Sequence, residues 1–146
     1  MPIKGVKRVR ERLKQELKEI TDRKTHDVLW RVGLVAGGFA ANMTPIDTGF
    51  LINSQFQYIG DTPEGMQLRL GYTARYAEWV HDMPGTLKGQ PREHFGKTRE
   101  GVEFGGGTGK GNYWDPNAEP EFLRKAFEEP GNADDIYKTI IEGYKT

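Results

Sequence analysis

Thr44-Pro45-Ile46-Asp47-Thr48-Gly49-Phe50-Leu51 is the stretch on which the fold turns, because one pattern ends in it and another begins. Upstream, Val28, Leu29, Val32, Val35, Ala36, Phe39, Ala40 and Met43 recur at three- and four-residue steps. They predict a helix over 25–43 with a wide apolar face. Thr44-Pro45 stops it, since the residue before proline is driven out of the helical region. Asp47 and Thr48 can bond neighbouring backbone and Gly49 can take a positive φ, so a turn follows. Downstream, Phe50, Ile52, Ser54, Phe56 and Tyr58 alternate with Leu51, Asn53, Gln55 and Gln57. Met66, Leu68, Leu70 and Tyr72 alternate in the same way with Gln67, Arg69 and Gly71. Gly60-Asp61-Thr62-Pro63-Glu64-Gly65 separates the two runs. They predict an antiparallel hairpin whose apolar face packs on the helix.

Toward the N-terminus, Ile3, Val6, Val9, Leu13, Leu17 and Ile20 form a narrow stripe among charged residues over 3–20. A narrow stripe belongs on a surface or against another subunit. The join at 21–25 reads either as a bend or as a continuation. One helix of ~40 residues would be roughly 60 Å long, more than a small domain covers. Gly33, Gly37 and Gly38 each lower helix stability by roughly 1 kcal/mol relative to Ala, and leave room for another backbone.

Toward the C-terminus, 73–81 predicts a short helix or turn carrying Tyr76, Trp79 and Val80. Residues 82–114 hold nine glycines among 33 residues, and Glu103-Phe104 is a candidate short strand within them. So long a loop is usually functional or ordered by partners. Two short helices follow, over about 120–128 and 133–144. Pro120 suits the first turn of one. Asn132 suits the N-cap of the other, with Asp134 and Asp135 in its first turn. The expected fold is a single α+β domain over 1–146. It has a long N-terminal helix, an antiparallel sheet of three to five strands, C-terminal helices and a long Gly-rich loop. Its parts include a basic N-terminal helix (1–24) and the extended loop (82–114).

The 146 residues carry 21 basic and 21 acidic side chains. Zero net charge argues against a whole-protein grip on nucleic acid or on an anionic membrane. Residues 1–31 nonetheless hold ten basic and five acidic groups, a net of +5, so the remainder carries −5. Such asymmetry can guide self-assembly or docking on an acidic partner. Cysteine is absent, which excludes disulfides, Cys–zinc sites and thiolate nucleophiles. No apolar run approaches the ~20 residues of a membrane span. The basic start lacks the hydrophobic stretch of a secretory signal, so the expected compartment is cytosolic.

Gly105–Gly111 (GGGTGKG) fails the phosphate-loop pattern, with Phe104 and Gly111 at positions that need Gly and Ser or Thr. His81 beside Asp82, with Glu93 and His94, invites a metal or general-base reading. A partly buried structural His81 explains it more simply. Trp79, Tyr113 and Trp114 suit either a stacking platform or anchors in a protein interface. No catalytic, metal-ligating or cofactor-binding residue is assigned.

Three segments together resemble a known family. They are 44–51; Gly71-Tyr72-Thr73-Ala74-Arg75-Tyr76-Ala77-Glu78-Trp79-Val80-His81-Asp82-Met83-Pro84-Gly85; and Ala118-Glu119-Pro120-Glu121-Phe122-Leu123-Arg124-Lys125-Ala126-Phe127. Their order and spacing over roughly 25–130 are similar to the head–tail joining, or tail-completion, proteins of tailed bacteriophages. These are also termed minor tail or minor capsid components. Phe50 departs from the basic residue common there, and His81–Gly85 from the usual Glu-x-Gly-Thr. The resemblance implies a non-enzymatic virion protein without cofactor, assembled in the bacterial cytoplasm. It implies a neck ring of six or twelve copies touching portal-adaptor or tail-tube proteins, with packaged DNA as a further contact and no membrane. Tail terminator and minor capsid protein are alternatives within it. A small nucleic-acid-binding protein using the basic helix is the alternative outside it. Pro45, Asp47, Thr48, Gly49, Tyr76, Ala77, Trp79, Val80, Pro120, Phe122 and Leu123 are the expected fold-determining residues. Among them Tyr76, Trp79 and Phe122 are expected to clamp helices onto the sheet. Lys7, Arg8, Arg10, Lys14, Phe104, Tyr113 and Trp114 are the candidate subunit interface.

Overall fold

A computed structural model describes residues 5–46, 49–85 and 117–145. The first helix, α1, runs unbroken over Val6–Met43. The join at 21–25 is a continuation, since it contains neither Gly nor Pro. Thr21 Oγ1 there bonds back to the Leu17 carbonyl at 2.8 Å, inside the helix. At 1.5 Å per residue, its 38 residues make a rod of about 57 Å. The two halves differ. Val28, Val32, Gly33, Ala36, Gly37 and Ala40 are buried, whereas every residue from Gly5 to Thr21 is exposed. The C-terminal half is a core helix, and the N-terminal half is a projecting arm.

Thr44 leaves the helix with ψ 128, the extended geometry that Pro45 imposes on its predecessor. Gly49 takes φ 82, as the turn requires. Asp47 and Thr48 lie outside the described residues. The next element corrects the expected strand start: α2, Phe50–Asn53, is a single helical turn. Asn53 N–H donates to the Gly49 carbonyl, and both Ser54 N–H and Ser54 Oγ donate to that of Leu51. These bonds close the turn, and within it only Leu51 is buried.

Strands β1 (Gln55–Thr62) and β2 (Gly65–Tyr72) form an antiparallel sheet of two strands. Among the described residues the sheet stops there, short of three to five, and Glu103-Phe104 lies outside them. The expected packing face of β1 is also corrected. Thr62 pairs with Gly65 across a two-residue turn, so Gln55 faces Tyr72, Gln57 faces Leu70 and Ile59 faces Leu68. Directly opposed residues share a face of the sheet. The glutamines therefore lie with the apolar residues of β2 against α1, and Phe56 and Tyr58 point outward, exposed. Glycine in α1 makes room for them. A methyl group at Gly37 would lie 3.1 Å from Gln55 Oε1. The small residues of α1 thus admit side chains of the hairpin, not another backbone.

The remaining helices are α3 (Ala77–Asp82), α4 (Phe122–Glu128) and α5 (Pro130–Lys145). Pro130 opens α5, where its missing N–H costs nothing. Asn132 is consequently inside the helix and not its N-cap. Its Nδ2 donates instead to the Lys125 carbonyl at 3.1 Å, closing the end of α4. Pro120 precedes α4 rather than entering its first turn, and Glu121 is the N-cap with φ 55. The C-terminal segment runs back along α1. Glu119 N–H bonds the Met43 carbonyl at 2.9 Å, and Tyr144 Oη donates to Thr25 Oγ1 at 3.0 Å. Gly143 lies against Val28. The architecture is α+β: a long N-terminal helix, a two-stranded antiparallel sheet and C-terminal helices.

Two glycines test this packing with opposite signs. A Cβ at Gly143 would lie 2.6 Å from Val28 Cγ2, while one at Gly38 would meet nothing within 4 Å. In thermal melts, Gly38→Ala should raise stability by up to about 1 kcal/mol. Gly143→Ala should lower it despite the better helix former.

Candidate functional site

Four segments meet at the C-terminal end of α1. Thr44, almost fully buried, donates from Oγ1 to the Ala40 carbonyl at 2.6 Å. Its oxygen lies 2.7 Å from Tyr72 Oη, so the tyrosine donates to it. Tyr72 Oη accepts in turn from Gln55 Nε2 at 2.9 Å, and the same amide donates to the Gly37 carbonyl at 3.0 Å. Every proton in this relay has one direction, which ties β1 and β2 to two carbonyls of α1. Burial pushes the Tyr72 hydroxyl above its ordinary 10.0, while its hydrogen bonding with Thr44 and Gln55 pulls partly back.

Apolar packing completes the junction. The Tyr72 ring meets Phe122 edge-on at 5.4 Å, and His81 meets the same phenyl at 5.1 Å. Leu51, Ala74 and Phe122 form the cluster centre, flanked by Met43, Tyr72, Ala77, Val80 and Leu123. Glu121 N–H bonds the His81 carbonyl at 2.7 Å, which fastens the C-terminal segment to α3. The three sequence segments that carry the family resemblance therefore converge on one cluster.

The expected fold-determining residues divide here. Pro45, Ala77, Val80, Phe122 and Leu123 sit at the junction, and Gly49 makes its turn. The clamp expected of Trp79 is corrected. In the short α3, Ala77 and Val80 take the inner side, which leaves Trp79 77% exposed. Tyr76 is also exposed and lies 6.1 Å from the Phe50 ring. His81 is the structural, partly buried histidine of the simpler reading, with Nδ1 2.9 Å from Asp82 Oδ1. Sequence reasoning misses Tyr72, Thr44 and Gln55 as site residues, because no local pattern links positions so far apart in the chain.

The arm is the second part of the site. Val6, Val9, Leu13, Leu17 and Ile20 are all exposed, with Val9 at 68%. Lys7, Arg8, Arg10 and Lys14 of the candidate interface are exposed beside them. Phe104, Tyr113 and Trp114 lie outside the described residues, as do His94 and the GGGTGKG segment. A shallow groove lined by Ile20, Arg23, Lys24, Asp27, Val28, Arg31 and Gly143 marks where α5 ends and the arm emerges. Other exposed apolar groups are Trp30 and Leu34 on α1, Ile46 after it, Phe56 and Tyr58 on the outer sheet face, Phe127 on α4, Tyr137, Ile141 and Tyr144 on α5, and Phe50, Tyr76 and Trp79. Among the described residues, no group of three or more His, Asp or Glu side chains is placed to hold a metal ion. No helix among them is long and apolar enough to cross a membrane.

Comparison of the chain with protein-family models, curated proteins and solved structures gives no match.

Two substitutions test the junction. Tyr72→Phe should cost about 1–2 kcal/mol near neutral pH, because Gln55 and Thr44 lose their common partner. The raised hydroxyl also sets a sign. The unfolded chain ionises first, so this contribution is complete below pH 10.0 and is lost as pH climbs through the folded value. Denaturant titrations against pH should show that alkaline loss diminished in Tyr72→Phe. At Glu121, whose φ is 55, Glu121→Gly should be more stable than Glu121→Ala by about 1 kcal/mol. Both variants lose the Arg124 ion pair, and only glycine relieves the left-handed backbone.

Proposed function

We propose that this chain is a non-enzymatic structural subunit of a tailed bacteriophage. It would be a head–tail joining, or tail-completion, protein that works as a neck ring of six or twelve copies. The observation that carries the reading is the distribution of apolar surface. Phe122 is the one large apolar side chain among the largest fully buried groups described, and most of the core is alanine and valine. Outside it, five aliphatic side chains line the arm, and Phe50, Tyr58, Trp79 and Tyr137 are each more than half exposed. Burying a Val, Leu, Ile or Phe side chain is worth about 1.5–3 kcal/mol. A chain that leaves so many on several faces is suited to association.

The bacteriophage setting comes from the three-segment resemblance, and their convergence on one cluster supports treating them as one fold signature. The motif residues at the junction act as packing and turn-setting groups, as a structural protein needs. A sheet of three to five strands belongs to this reading, with the outer edges of β1 and β2 as the places where strands would add. Portal-adaptor and tail-tube proteins are the expected neighbours, and the virion is the expected location. Tail terminator and minor capsid protein stay as alternatives within it.

The exposed arm also favours a second reading, in which Lys7, Arg8, Arg10 and Lys14 grip nucleic acid phosphates. The apolar stripe beside them makes a protein partner the better fit. Quantitative mass spectrometry of purified particles, with imaging of the labelled subunit, tests the first reading. The expected result is a fixed copy number at the neck, and absence from virions would end it. For the second, DNA affinity should fall steeply with salt and lose that slope when the four basic residues are neutralised.

A further inference from the structure

The end of α5 meets α1 at Val28 and Thr25. Beyond that point the stripe of Val6, Val9, Leu13, Leu17 and Ile20 continues toward the N-terminus for about 22 Å with every side chain exposed. Charge identifies what could cover it. Residues 5–24 carry eight basic and four acidic groups, a net of +4. The other described residues, 25–46, 49–85 and 117–145, carry seven basic and twelve acidic, a net of −5. The arm of one copy is thus complementary to the body of another. Two arms packed antiparallel are less well matched. Lys7, Arg10 and Lys14 line one side of the stripe, and antiparallel pairing would set that basic side against itself.

On the body, the apolar patch with the most exposed aromatic group is at the opposite pole from the arm, beside the C-terminal end of α1. Phe50 and Tyr76 pair there, Trp79 follows Tyr76 by three residues along α3, and Trp79 is the most exposed large apolar side chain described. Glu78 and Asp82 flank Trp79 on α3. Tryptophan and tyrosine in such a position are typical anchors of an interface. The α5 stripe of Tyr137, Ile141 and Tyr144 is less exposed than Trp79 at every position, and its neighbours are of mixed charge, Lys138 and Lys145 with Asp134, Asp135 and Glu142.

We infer that the arm of one copy, through Val9, Leu13 and Leu17, docks on the Phe50–Tyr76–Trp79 patch of the next copy, with the arm's basic side toward Glu78 and Asp82. Because arm and patch lie at opposite poles, the contact is head to tail. Repetition of such a contact closes into a ring or extends as a filament. The inference deepens the assembly reading above and rests on it only in taking a second copy as the partner. A chain absent from virions that still assembles this way would sink the bacteriophage setting and leave this interface standing.

Mixing tests it. The double variant Leu13→Glu with Leu17→Glu lacks a competent arm, and Trp79→Arg lacks a competent patch. All three positions are exposed, so at concentrations where the unmodified chain is itself dissociated, each variant should match it in circular dichroism and melting temperature. In sedimentation velocity the unmodified chain should assemble beyond a dimer, and each variant alone should sediment as the 16.6 kDa monomer. An equimolar mixture should form a dimer that grows no further, because it has one intact arm–patch pair. A Tyr137→Lys with Ile141→Lys variant should assemble as the unmodified chain does. Four results would overturn the inference. They are a monomeric unmodified chain at every concentration, undiminished assembly of either defective variant, failure of the mixture to dimerise, and loss of assembly in the α5 variant.

Discussion

The hydrogen-bond relay from Gln55 through Tyr72 and Thr44 to the Ala40 carbonyl fixes how this chain is put together. Large apolar side chains do little of that work, because the buried face of α1 is built from Val28, Val32, Ala36 and Ala40 with Gly33 and Gly37. Small residues give a smooth surface, on which a hairpin could slide. The relay removes that freedom. It needs Gln55 opposite Tyr72 and Tyr72 against the last turn of α1, and one register satisfies both. Once Tyr72 is placed, its ring presents an edge to Phe122, which brings in α4 and, through the His81 contact, α3.

Local features were legible in the sequence where a single residue type has a strong backbone consequence. Pro45 stopped α1, Gly49 took positive φ, and Thr62-Pro63-Glu64-Gly65 turned the hairpin. The alternation alone puts the wrong face of β1 inward, because Phe56 and Tyr58 look like core residues. A two-residue turn contradicts that reading. It pairs Leu68, Leu70 and Tyr72 with Ile59, Gln57 and Gln55, and so turns the aromatics outward. The relay lay beyond sequence reasoning for another reason. Thr44 and Tyr72 are distant in the chain, and neither is unusual alone. Trp79 stays outside because a six-residue helix has one small inner side, which Ala77 and Val80 fill. The arm stripe is legible as a surface feature, and the absence of any Gly or Pro between Thr21 and Thr25 agrees with a continuous α1.

The long helix therefore has two roles on one rod. Its C-terminal half is held by the chain's own hairpin and by α5. Its N-terminal half has helix-forming residues and an apolar stripe but no partner among the described residues. Isolated helices of such length are marginal in water, and most helical stability comes from packing. This couples folding of the arm to association, so that a second copy supplies what the body does not. The opposite net charges of arm and body favour that partner over an unrelated surface.

Hydrogen–deuterium exchange against protein concentration tests this division most directly. Amides of 25–43 should be protected to the same degree at every concentration, because their packing is internal. Amides of 6–20 should exchange fast in dilute solution and become protected as the chain associates. An arm equally protected in the dilute monomer, or still unprotected in the assembled state, would contradict the account.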